Sequence, residues 1–264
     1  MASPLSATKL VSVLTGEGLM VREVGSWRTH NRNAKGPWGP VHGVVLHHTG
    51  DYSSEAAMVQ LCYDGYDELP GPLCLGVIDK KGLVHLVGYG RANHAGLGDN
   101  DVLQAVIAER KLPVDNEANT DGNRYFYGFE CINRGDGVDT WTDVQVEAMV
   151  RASAAIVRAH GWGKAGNTSV IGHLEWQPGK PDPRGHNFPG MSVMRARIAD
   201  RINHAATWSP NGTSTTDTYK VKPGDTLTSI AVAHRTTWQK LWTLNKAQVP
   251  DPDEVKPGQV LKLK

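Results

Sequence analysis

Two histidines close short apolar runs: His47 follows GVVL in GVVLHHT, and His173 ends TSVIGH. A residue at the end of a buried strand is held by rigid backbone while its ring edge stays open to solvent, a placement that suits hydrolytic metal chemistry. Catalytic zinc takes three neutral-imidazole or carboxylate ligands and keeps a fourth position open. Taken singly, a strand-end histidine is more often a hydrogen-bonded structural residue. The segment GHLEWQPGKPDPRG supplies a third donor, because Asp182 follows His173 through a loop rich in Pro and Gly that can fold back on itself. Lys180 precedes Asp182 by two residues, so the loop can bring a carboxylate and an ammonium to the same water. His186, in the same loop, is chemically competent as a ligand as well.

These donors need a scaffold. GVVLHHT, YGFECIN and TSVIGH read as strands, and CLGVIDKKGLVHLVG alternates across a Lys-Lys-Gly turn as a hairpin. Thr142 and Gln145 have capping-box spacing ahead of Val146, Met149, Val150, Ala154 and Val157, with Gly161 as the stop. Asp101 and Gln104, ahead of Val106 and Ile107, repeat the signal more weakly. Strands and helices mixed in this way predict an α/β domain, a central mixed sheet flanked by helices.

The chain has 264 residues, 39% hydrophobic and 21% charged, which suits a globular protein of one ordinary domain plus a smaller one. The polar run HAATWSPNGTSTTDT predicts a flexible linker over 204–218, between a catalytic domain at 1–203 and a second domain at 219–264. Residues 219–264 carry eight Lys or Arg against four Asp or Glu, which leaves 20 against 23 in the rest. A basic module on a slightly acidic body suits an anionic polymer surface and is too weakly charged to argue for nucleic acid. Cys62, Cys74 and Cys131 are odd in number and lack CxxC spacing, so free thiols in a reducing compartment are expected. No apolar run approaches a membrane span, and the first residues lack the h-region of a secretory signal.

In this order, VVLHHT, GRANHAG, YGFE and GHxEWxPGKxDP resemble the type-2 N-acetylmuramoyl-L-alanine amidases, relatives of the peptidoglycan recognition proteins. The likeness runs over most of residues 25 to 200 and is nearest to the amidase domains of actinobacteriophage endolysins. It implies zinc ligands at His47, His173 and Asp182, the last two residues after the lysine that here is Lys180. Lys180 matches the lysine that stabilises the oxyanion, and Glu130 in YGFE matches the glutamate that acts as base in the bacterial branch. Phage relatives often carry a tyrosine where this sequence has Cys74, which favours Glu130 as base. Without that context Glu130 reads as a strand carboxylate paired with Arg134 or Arg124, and Lys180 as a solvated loop lysine. His94 in GRANHAG is expected to line the substrate groove.

The last segment begins YKVKPGDTLTSIA and ends PGQVLKLK, with Leu227, Ile230 and Ala231 marking one helix and Thr236 with Gln239 capping a second. This βααβ pattern resembles a LysM module, a binder of N-acetylglucosamine chains. The resemblance places its sugar groove between Gly224, Asp225 and Thr226 and the segment near Asn245. Asp225 and Thr226 also suit helix capping, and Trp238 and Trp242 suit either sugar stacking or core. The implied protein is a monomeric zinc amidase whose partner is peptidoglycan. It is expected to wait in a host cytoplasm until lysis and then to act on the cell wall without inserting in membrane. A non-catalytic receptor of the same fold and a zinc hydrolase of another wall bond are the alternatives.

Overall fold

The computed structural model describes residues 2–163, 168–208, 218–234 and 236–263. The chain divides into two compact units, Met1–Trp208 and Ser209–Lys264. Of the expected linker, 209–217 lies outside the described residues. Among the described residues no helix is long and apolar enough to cross a membrane.

The first unit is α/β, built on one mixed sheet of β1 (Val21–Glu23), β2 (Gly43–His48), β3 (Gly76–Ile78), β4 (Val84–Leu86), β5 (Phe126–Cys131) and β6 (Val170–Gly172). The spatial order is β1-β4-β3-β5-β2-β6, and only β3 and β4 pair antiparallel, as the predicted hairpin. Its turn is tied by Asp79, whose Oδ1 accepts from the amides of Lys81 and Leu83.

Alternation along the strands separates two faces. Val44, Leu46, Tyr127, Phe129 and Val170 join one core with helices α1 (Ala7–Gly16), α4 (Asp143–His160) and α5 (Met191–Ile202). On the opposite face Val45, Phe126 and Ile171 pack against Val102, Leu103 and Val106 of α3 (Asn100–Ile107) and against Trp176. Helix α2 (Glu55–Asp64) covers the hairpin end with Met58, Val59 and Cys62.

Helix α4 begins at Thr142, which accepts from the Gln145 amide, and stops at Gly161 in the left-handed region. Gln145 does not complete the expected box. Its buried Nε2 donates instead to the carbonyls of Ile78 and Ile132 at the ends of β3 and β5. Helix α3 is capped two residues earlier than Asp101, by Asp99.

Glu17, buried at the end of α1, binds Arg158 on α4 and Arg201 on α5, each at 2.7 Å. Arg201 also donates to the carbonyls of Ala206 and Trp208, which hold the first residues of the expected linker on the domain. Removing Glu17 strands Arg158 without its counter-charge and leaves Arg201 the more distant Glu147 at 3.6 Å. Glu17→Ala is therefore expected to lower stability by about 3–5 kcal/mol in urea unfolding followed by tryptophan fluorescence.

The second unit is a two-stranded antiparallel ladder, β7 (Thr218–Lys220) with β8 (Val260–Lys262), enclosing α6 (Leu227–Ala233) and α7 (Trp238–Asn245). Leu227, Ile230, Ala231 and Leu241 fill its core. The cap of α7 is Thr237, one residue after the expected Thr236.

Candidate metal centre

His47 lies on the face of β2 that carries Val45, and alternation puts His173, the first residue after β6, on the same side as Ile171. Both β5 and β6 run parallel to β2, so the two histidines meet at the carboxyl end of the strands, where open α/β sheets form their crevices. Asp182 is returned to them by the loop. The Leu174 amide donates to the Asp182 carbonyl at 2.7 Å, and Trp176, wholly buried, anchors the turn through Nε1 to the Ala95 carbonyl.

The result is a tight triangle. His47 Nδ1 lies 3.0 Å from His173 Nδ1 and 3.2 Å from Asp182 Oδ2, and His173 Nδ1 lies 3.1 Å from the same oxygen. All three residues are buried. His48 belongs to the other side of β2 and accepts from the Arg184 amide, and His186 is exposed, its carbonyl accepting from the Trp141 amide.

The remote ring nitrogens decide what this triangle can hold. His173 Nε2 meets Gln177 Oε1, a pure acceptor, at 3.2 Å, so that nitrogen carries the proton and Nδ1 offers a lone pair. His47 Nε2 meets His94 Nδ1 at 3.1 Å, and a ligating imidazole that binds through Nδ1 carries its proton on Nε2, which makes His94 Nδ1 the acceptor. Burial, then the neighbouring His173, pushes the His47 pKa down to about 4, and burial, then His47, holds His94 well below the ordinary imidazole range. Burial works to raise the Asp182 carboxyl, but the hydrogen bonds of His173 and His47 outweigh it and hold the group well below the carboxylate range. With their protons on the remote nitrogens, the two imidazoles and the carboxylate face one point as three lone-pair donors, in place of the hydrogen bonds to Asp182. Edges of 3.0–3.2 Å are close to the roughly 3.3 Å edge that follows from zinc bonds of about 2.0–2.1 Å in a tetrahedron, so the donor set fits zinc.

Glu130 is the register partner of His47 across β2 and β5 and so shares its face. Burial, then the nearby Asp182 carboxylate, raises its pKa to about 8, against which Lys180 works. Its Oε2 is buried without a hydrogen-bond partner. Neither arginine considered from the sequence pairs with it: Arg124 donates to the Gly39 carbonyl and Arg134 pairs with Asp136. Lys180 is exposed on the loop, near enough for its charge to act on Glu130 and His47. The Cys74 thiol is fully buried, and burial and Cys62 drive its pKa up, so it is no substitute base.

Residues 37–185, more than half of the chain, match the family model of the N-acetylmuramoyl-L-alanine amidases. The chain belongs to that family. Residues 219–264 match the LysM domain. Similar solved structures include the N-acetylmuramoyl-L-alanine amidase LysC from Clostridium intestinale URNW, at 15% identity over 67% of this chain and 96% of that one, TM-score 0.45. The Staphylococcus aureus hydrolase AmiA in complex with its ligand aligns at 12% identity over 76% and 93%, TM-score 0.47. No curated protein sequence matches.

Two residues of this amidase stand elsewhere than the sequence implied. His94 meets His47 Nε2 and is buried with it, where the sequence placed it along a substrate groove. Asn245 is buried too, its amide bridging the Leu241 carbonyl to the backbone of Lys262, so it joins α7 to β8 and has no side-chain donor left for sugar. Gly224, Asp225 and Thr226 form the turn before α6. Thr226 and Ser229 cap reciprocally, and Asp225 Oδ2 accepts from Tyr219 and the Lys222 amide. Trp242 Nε1 donates to the Val249 carbonyl, and Trp238 is exposed. Gln177 was missed, since a glutamine in a loop carries no signal of the imidazole it will meet.

Glu130 carries a pH signature. Held near pKa 8 in the fold against an ordinary 4.5, it keeps a proton that the unfolded chain sheds, so metal-free stability falls as pH rises through that window and levels off above it. In chelator, Glu130→Gln should melt above the wild type by a margin that grows between about pH 5 and about pH 9. A margin constant over that range would show that the carboxyl is not held protonated.

Proposed function

We propose that the chain is a zinc-dependent amidase that cuts the bond between N-acetylmuramic acid and L-alanine in bacterial peptidoglycan, acting as a phage endolysin in host lysis. The observation behind it is the meeting of His47, His173 and Asp182 with a partnerless Glu130 oxygen beside them on one sheet face. A receptor that only binds wall fragments has no use for that carboxyl. Family membership supports the substrate class, and the motif order shared with phage enzymes, together with the LysM module, supports the lytic role.

When bound, zinc supplies a Lewis acid that acidifies water and polarises a carbonyl. The chain's own groups do the rest. Glu130 Oε2 takes the proton of the attacking water and hands it to the departing alanine nitrogen, a transfer for which a carboxyl raised by its surroundings is suited. The Lys180 ammonium faces the negative charge that develops on the scissile carbonyl oxygen. In the LysM module the exposed turn at Gly224 to Thr226 and Trp238 are what remains open to glycan, without Asn245.

Digestion of purified wall should release free L-alanine amino termini and no new reducing sugar ends, and new reducing ends would overturn the amidase assignment. Asp182→Ala should lose both zinc and hydrolysis, whereas His186→Ala keeps both. Glu130→Gln should retain zinc and lose about 10²- to 10⁴-fold in kcat. A chain ending at Trp208 keeps the acceptors of Arg201. It should cut soluble muropeptides as the full chain does but bind intact walls less, and equal wall binding would refute targeting by the LysM module.

A further inference from the structure

We infer that His94 is a positioning residue of the metal centre: its Nδ1 accepts the His47 Nε2 proton and thereby fixes the tautomer and angle at which His47 presents Nδ1. The inference rests on the zinc reading above. Four contacts build this support. The two rings meet edge to face, 85° apart with centroids at 5.3 Å, and the nitrogens are 3.1 Å apart. Asn123 Oδ1 accepts the amides of both His94 and Ala95, at 2.9 and 2.8 Å, which fixes the backbone that carries the ring. Trp176 Nε1 donates to the carbonyl of Ala95, the next residue, at 2.8 Å and ties the same segment down.

The fourth contact is a missing side chain. A Cβ on Gly128 of β5 would stand 2.4 Å from His94 Nδ1 and 2.6 Å from Cγ. Gly128 and Glu130 share one face of the strand, so the glycine that admits the His94 ring lies two residues from the carboxyl beside His47. A carboxylate, a backbone carbonyl or water is the commoner companion of a ligating imidazole, and here a second imidazole fills that place. A ligand imidazole that loses its outer acceptor is free to rotate or to move its proton onto the ligating nitrogen, at a typical loss of about 10- to 100-fold in metal affinity.

The test uses the full chain, with zinc affinity measured by chelator competition and melting followed in the metal-free state. His94→Asn keeps an acceptor oxygen where Nδ1 stands and should hold zinc within about threefold of the wild type. His94→Leu removes the acceptor, and His94→Gln stays polar but carries its oxygen one bond further out. Each should lose about 10- to 100-fold. Gly128→Ala, which leaves every polar group in place and displaces the ring, should lose zinc affinity as well. Equal affinity in all four variants would overturn the proposal, and so would an Asn variant as weak as Leu and Gln, which would mark His94 as a space-filling residue. Absence of stoichiometric zinc from the wild type would instead overturn the metal reading on which the proposal stands.

Discussion

Two imidazole nitrogens and a carboxylate oxygen lie within 3.2 Å of one another, and once the two Nδ1 atoms carry no proton they repel unless a cation lies between them. The protein must therefore hold them together at its own expense, and much of the first unit can be understood as the means. Parallel register sets His47 and His173 at neighbouring strand ends. The Leu174 amide closes the loop onto the Asp182 carbonyl. Trp176 wedges the turn against Gly98 and Gly122, where a Cβ would stand within 2.1 and 2.7 Å of the indole, so those two glycines are part of the centre although they touch no ligand.

The same logic explains why the polar groups behind the centre are so fully committed. His94 and Gln177 each meet the remote nitrogen of a ligand histidine, and Asn123 fixes the backbone that carries His94. Glu130 is the exception. Among the described residues its desolvated oxygen has no partner, an uncompensated cost that it shares with Gln145 Oε1 and Ser153 Oγ but that here lies beside the triangle. Distant from it, the cluster of Glu17 with Arg158 and Arg201 is also buried and charged, yet its charges are paired and joined to backbone carbonyls, as a structural network requires.

In the LysM module the polar residues divide differently. Asn245 and Asp225 serve the fold, one joining α7 to the last strand and the other tying the first turn to Tyr219. A module with so small a core depends on such ties. Trp242 shows the same economy: its indole packs at the edge of the core, donates to Val249 and receives Lys246 over its face.

The sequence by itself determined the strands that end in His47 and His173, the hairpin, helix α4 and the βααβ order of the C-terminal module, because each rests on local periodicity, a cap or a turn. Its motifs also pointed to Asp182 rather than His186. Helices α1, α2 and α5 were not read from it. The role of His94 was likewise out of reach: nothing local to GRANHAG tells a buried ring from a groove residue. That was decided by Gly128 on a strand 34 residues away, which leaves room for the ring behind His47. Asn245 was decided in the same way, by the return of β8. Spacing along the chain names the residues able to do chemistry. Which of them face a ligand, and which face one another, follows from strand register and from the space that a missing Cβ leaves.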